Sequence, residues 1–143
     1  MAEFLFKNYV KNKGKEKSFL IESAATSTEE IGNGVHYGTK RILNSLGIDC
    51  SNKRARQITK SDYGNFDYLM VNSDQTWVNI TPNFLPDIGF LKFAINWNIP
   101  KFIYGASYPL DEWRYSEKLS HNLGLLLKKI NGQVFLLSKK IYA

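Results

Sequence analysis

A chain of 143 residues is enough for one ordinary domain and too short for two complete enzymes. Its 43% hydrophobic and 14% aromatic content can build a core, which argues against a disordered tail; its single cysteine, Cys50, excludes an internal disulfide and a Cys-rich zinc site. The net charge of +6 admits a polyanionic partner without requiring one.

In chain order, residues 2–12 place Phe4, Leu5, Tyr9 and Val10 at helical spacing, and Gly14 supplies a stop. SFLIESAA, 18–25, is a short apolar run suited to a buried strand. Residues 35–46 repeat the helical pattern through Val35, Ile42, Leu43 and Leu46; Gly47 then offers a left-handed cap and Ile48 packs back onto the helix. FDYLMV, 66–71, reads as a second buried strand. Pro82, Pro86 and Gly89 break the pattern between Asn72 and Pro100. A strand over 101–107 (KFIYGAS), a helix over 117–130 and a strand over 133–137 (QVFLL) follow. Strands alternating with helices predict an α/β fold with a mainly parallel sheet.

The start, MAEFLFKNYVKNKGK, has no basic segment ahead of an apolar one, and no run approaches the length of a membrane span; a soluble, cytoplasmic chain is expected. Five lysines fall between Lys7 and Lys17, opposed by Glu16 alone, and Lys53, Arg54, Arg56 and Lys60 form a second cluster. The first cluster lies at a helix end and the loop after it, where cations suit the helix dipole. Neither cluster interleaves aromatic residues for stacking bases, so a solvated basic face is expected and no nucleic-acid partner. His36 and His121 have no ligand-spaced companion, and Trp77, Trp97 and Trp113 read as core or rim aromatics. No metal or other cofactor is expected.

MAEFLFK, IESAATSTEEIGNGVHYGTKR and LGIDCSNKRARQITKSDYGNFDYL resemble the low-molecular-weight protein tyrosine phosphatases, near-continuously over residues 1–71. The resemblance implies a Rossmann- or flavodoxin-like three-layer sheet and a phosphotyrosine protein as substrate. It also implies that the family's catalytic part, a central strand and a C-x5-R-S phosphate loop whose cysteine attacks phosphorus, precedes the helix that opens at Met1. The catalytic apparatus is therefore expected to be missing and the sheet incomplete. Ser23, in ESAATS, matches a family serine that supports the phosphate loop. The family's Asp-Pro general acid has no counterpart, since Pro86-Asp87 runs in the reverse order.

Cys50 and Arg56 share the C-x5-R spacing, but CSNKRAR holds no glycine and follows a helix cap rather than a strand. A phosphate loop needs converging backbone N–H groups between a strand and a helix N-terminus. An ordinary surface or half-buried cysteine is expected, although Lys53 or Arg54 nearby could activate the thiol.

FDYLMVNSDQTW, FLKFA (90–94), KFIYGASYPLDEW (101–113) and the helix before QVFLLSKK resemble the polysaccharide pyruvyl transferases over residues 66–140. That resemblance implies a transfer from phosphoenolpyruvate to the sugar hydroxyl of a polysaccharide precursor. It offers Ser73, Asp74 and Gln75 as a ligand loop at a strand's C-terminal end, against the plainer reading of a polar turn. The two resemblances meet at FDYLMV. The expected organisation is a truncated phosphatase-like segment, 1–71, fused to a pyruvyl transferase-like fragment, 66–143, bacterial and catalytically inactive, with an active transferase or a non-catalytic binding module as alternatives.

Overall fold

The structure, a computed structural model, describes residues 1–26, 28–72, 90–106 and 115–135. The chain divides into two compact units, Met1–Asn65 and Phe66–Ala143.

Met1–Asn65 begins with helix α1, Ala2–Asn12, and contains α2, Tyr37–Ser45. Both end where the sequence predicts. Gly14 (φ 65°) and Gly47 (φ 69°) take the left-handed conformation that side chains resist. The next residue then closes each helix, with Lys15 N–H donating to Val10 O and Ile48 N–H to Leu43 O, both at 2.9 Å. His36 caps the start of α2, its Nδ1 accepting from Gly38 N–H at 3.3 Å. A 3₁₀ turn over Lys60–Gly64 carries a capping box between Thr59 and Asp62.

The buried strand expected at 18–25 does not form. Glu16–Ser18 is a 3₁₀ turn and the backbone then runs extended, but among the described residues its only bridge is at Ala25, parallel to Gln57. Ala25 N–H donates to Arg56 O and Ile58 N–H to Ala25 O, each at 2.8 Å. Phe19 and Leu20 are exposed, as are Ile42 and Leu46, which the helical pattern had assigned to a core face. The apolar run reports a preference for burial, yet among the described residues no strand lies alongside 19–24 to ladder with it. The buried apolar side chains of this unit are Val10, Leu43 and Cys50. Cys50, expected at or near the surface, is thus a buried free cysteine.

Phe66–Ala143 holds a three-stranded parallel sheet in the order β1 (Leu69–Asn72), β2 (Lys101–Ala106), β3 (Gly132–Phe135), with α3 (Glu117–Leu127) between β2 and β3. The register sets Leu69 beside Lys101 and Val71 beside Ile103. Ser116 caps α3, its hydroxyl accepting from Leu119 N–H. The strand period of two sends Ile103 into a core with Phe90, Leu91 and Leu123, against which Leu69, Val71 and Leu119 pack. Met70 and Tyr104 point the other way and are exposed. The expected strand at 66–71 is therefore real from Leu69 onward but buried on one face only.

Candidate functional site

Ser23 is the one residue of the phosphatase-like segment with an expected role at the site. Its extended backbone brings it to α1, where Glu3 sits in the first turn. Glu3 Oε2 accepts from both the Ser23 N–H (3.0 Å) and the Ser23 hydroxyl (2.6 Å). Lys7, one helical turn after Glu3, donates to Oε1 at 2.6 Å, and Lys53 reaches Oε2 at 2.7 Å. Lys53 Nζ also donates to Ser23 O at 3.2 Å. The Glu3 carboxylate, 3% exposed, therefore has two cations and two further donors around it. Burial alone would push its pKa up; hydrogen bonds from Lys53, Lys7 and Ser23 more than offset that and bring it down to about 2.

This arrangement fixes the chemistry left to Ser23. Its hydroxyl proton points at a carboxylate, so toward any other group the oxygen offers only lone pairs. Such an oxygen suits a backbone N–H and is a poor ligand for a phosphate oxygen. Beside it lies a cleft of about 250 Å³ lined by Ser23, Ala24, Ala25, Lys53, Ala55 and Arg56.

The Arg56 guanidinium is already committed to carboxylates. It pairs with Asp62 at 2.9 Å and Glu22 at 3.0 Å. Hydrogen bonding to Asp62 raises the Arg56 pKa and lowers that of Asp62. The Cys50–Arg56 spacing is thus no phosphate loop. The Ser51 N–H donates to Asp49 Oδ1 (2.9 Å) and the Lys53 N–H to Cys50 O (3.3 Å), so these amides serve their own turn instead of converging on an anion. Lys53 and Arg54, offered as activators of the thiol, donate to Glu3 and to the Ser51 and Lys53 carbonyls. The basic cluster after Lys7 also has rings beside it, Lys7 Nζ lying 5.9 Å from the Phe4 centroid and Lys13 Nζ 5.8 Å from that of Tyr9. Each pair is three or four residues apart on or just past α1, so the helical spacing of the sequence already places these rings beside the lysines, against the expectation of no aromatic neighbours.

Ser73, Asp74 and Gln75 lie outside the described residues, as do Trp77 and Trp113. Trp97 is half-buried, edge-on to Phe93 at 5.9 Å. The sequence reading missed Glu3, and it named Lys53 only within a basic cluster and as an activator of the Cys50 thiol, not as a partner of Glu3. A signal existed for Glu3: it shares a helix face with Val10, seven residues on, which is the buried side of α1. No local pattern ties residue 3 to residue 53. Among the described residues no helix is long and apolar enough to cross a membrane.

Helices joined to a parallel sheet make this an α/β protein. It is similar to the crystal structure of YfkJ from Bacillus subtilis, with a TM-score of 0.50 at 22% identity over 90% of this chain and 79% of that one, which places the fold in the Rossmann-like class. Residues 1–86 match the family described as low molecular weight phosphotyrosine protein phosphatase, and the chain belongs to that family. It is 41% identical over 70 residues to the low molecular weight phosphotyrosine protein phosphatase of Gallus gallus, covering 49% of this chain and 44% of that protein. It is 37% identical over 70 residues to the low molecular weight protein-tyrosine-phosphatase YfkJ of Bacillus subtilis, covering 49% and 45%. The phosphatase of Schizosaccharomyces pombe is 35% identical over 81 residues, 56% of this chain and 51% of that protein. The chain thus spans about half the length of the curated relatives it matches.

Proposed function

We propose that the Met1–Asn65 unit is the loop-supporting half of a tyrosine phosphatase site, and that residues 1–143 alone do not hydrolyse phosphotyrosine. The observation that carries this reading is Ser23. Its N–H and O–H both bind the buried Glu3 carboxylate, which leaves its oxygen aimed as a fixed acceptor for a loop amide. Within the 143 residues the one C-x5-R sequence continues with Gln57 instead of serine, its arginine is bound to two carboxylates, and no Asp-Pro pair occurs. Nucleophile, anion clamp and leaving-group acid are then all absent from these residues. The substrate class at a completed site is a phosphotyrosine protein.

The test grafts a strand and a C-x5-R-S loop ahead of Met1. The unmodified chain should give no p-nitrophenyl phosphate turnover above background. The grafted chain should bind vanadate and gain thermal stability by mass action, yet turn over slowly for want of the acid. Turnover by the unmodified chain that Cys50→Ser abolishes would overturn the reading, as would a folded grafted chain that binds no oxyanion.

A second reading concerns residues 66–143 as a pyruvyl transferase-like fragment joined to a phosphatase-like segment 1–71 at the shared FDYLMV strand. Two observations favour it: FDYLMVNSDQTW, FLKFA and KFIYGASYPLDEW occur in that family's order, and the Phe66–Ala143 residues form a compact unit. Ser73–Gln75 directly follows β1, at the strand end where open α/β sheets take ligands. Pyruvate transfer from phosphoenolpyruvate to a saccharide acceptor, lost in Asp74→Ala, is the outcome that would replace inactivity with this alternative.

A further inference from the structure

β2 opens on Lys101, a lysine only 5% exposed. Its ammonium donates to Ile99 O at 3.0 Å and to Trp97 O, and among the described residues no carboxylate lies within ion-pair distance of it. Burial pushes its pKa below the usual lysine range. The contrast with Glu3 is sharp, because that buried charge has two countercharges and this one has none among the described residues. An ammonium has three N–H donors, and two backbone carbonyls leave one over. A buried charge without a countercharge is costly, and a bound counterion is one way to relieve it.

The surroundings of Lys101 supply the rest of a site. It lines an open cleft of about 270 Å³ together with Lys129 and Asn131, against Trp97 and Pro100. Lys129 is exposed at the cleft and brings a second ammonium. Asn131 Oδ1 accepts the Lys101 N–H at 2.9 Å, and the Asn131 N–H donates to Lys101 O at 2.9 Å. One lone pair of the Asn131 side-chain oxygen is thus engaged, and the amide NH2 of the same side chain supplies donors. The cleft thus presents two cations and an amide donor, and among the described residues no acid lines it. We propose that this cleft binds a phosphate or phosphomonoester dianion, held by Lys101, Lys129 and Asn131. Two ammonium groups match a dianion better than a single carboxylate or halide. The site lies at the N-terminal end of β2, the opposite end of the sheet from Asn72, and it does not depend on either reading of function.

The test is an amide NMR titration of the 143-residue chain with sodium phosphate and with methyl phosphate, against sodium chloride at equal ionic strength. Saturable shifts at Lys101, Lys129, Asn131 and the Asn131 side-chain amide are expected with the phosphorus anions and not with chloride. Lys101→Met should weaken binding at least about tenfold and Lys129→Ala about threefold, as expected for one buried and one solvent-screened charged contact. Saturation by methyl phosphate alone identifies an esterified ligand, and saturation by both identifies the free oxyanion as sufficient; either supports the site. Should Lys101→Met fail to fold, Lys129→Ala and Asn131→Ala decide. Equal shifts with chloride, or variants that bind as tightly as the parent, would overturn it.

Discussion

The buried residues of Met1–Asn65 are Val10, Leu43, Cys50 and a carboxylate, Glu3, whereas those of Phe66–Ala143 include Phe90, Leu91, Ala94, Ile103 and Leu123. The second unit rests on an apolar layer between a helix and a sheet. The first has few fully buried apolar side chains and a directional polar cluster that ties α1 to the 19–25 segment and the 50–56 loop. The physical consequences differ. An apolar layer loses stability in proportion to the volume removed, while a buried charge cluster fails through the partner left uncompensated. The family match falls on residues 1–86, so it includes the unit whose apolar surface is least covered.

The largest effect that sharpens this contrast comes from Leu123, 2% exposed between α3 and the sheet. Leu123→Ala should cost about 3–4 kcal/mol, because helix and sheet hold the cavity open. Leu43→Ala removes an equally buried leucine from the other unit, which has fewer buried apolar residues to hold a cavity open; about 2 kcal/mol is expected. Urea denaturation of both variants measures the difference. A costlier Leu43→Ala would mean that Met1–Asn65 has a tighter core than its exposed side chains indicate.

Next in size is Glu3→Gln. It keeps the shape and leaves Lys53 and Lys7 without their countercharge, for about 2–3 kcal/mol at neutral pH. The pH dependence gives a separate signature. The Glu3 pKa is about 2 in the fold against 4.5 ordinarily, so between those values the unfolded chain binds the extra proton. The stabilisation is complete above pH 4.5 and is lost as pH falls toward 2. Glu3→Gln should therefore differ from the parent at pH 7 and converge with it near pH 2. An offset that stays constant with pH would show that the carboxylate charge contributes nothing.

Which parts were legible follows from how local their causes are. The ends of α1 and α2 were readable because a left-handed cap is a property of one glycine and its neighbour, Gly14 and Gly47 here. The order of β1, β2, α3 and β3 was readable from the change of hydrophobic period, and α3 merely stops three residues early, at Leu127. The strand at 18–25 was not, because a ladder needs a partner that no local pattern specifies. Ser23 could be named through resemblance, but its partner could not, since the Glu3–Ser23–Lys53 cluster joins positions 20 and 30 residues apart. Cys50 was set aside for lack of a glycine, and the structure adds that the Ser51 and Lys53 amides close their own turn.

The smallest expected effect probes the exposed apolar residues Phe19 and Leu20 of Met1–Asn65. Leu20 is 65% exposed, and Phe19 beside it touches Phe6 edge-on at 6.0 Å. The backbone at residues 19–22 has no ladder partner among the described residues. Apolar exposure on an unpaired edge favours self-association and adds little to stability. Leu20→Ser should therefore change the free energy of unfolding by less than about 0.5 kcal/mol, as for surface substitutions generally. It should also raise the concentration at which the chain starts to aggregate, read by light scattering. Phe19→Ser should do the same with a slightly larger stability cost, because the Phe6 contact is lost. A loss above about 1 kcal/mol for Leu20→Ser would exceed what an exposed leucine can contribute. It would mean that the side chain is covered in solution, and Met1–Asn65 would then carry an apolar layer of its own.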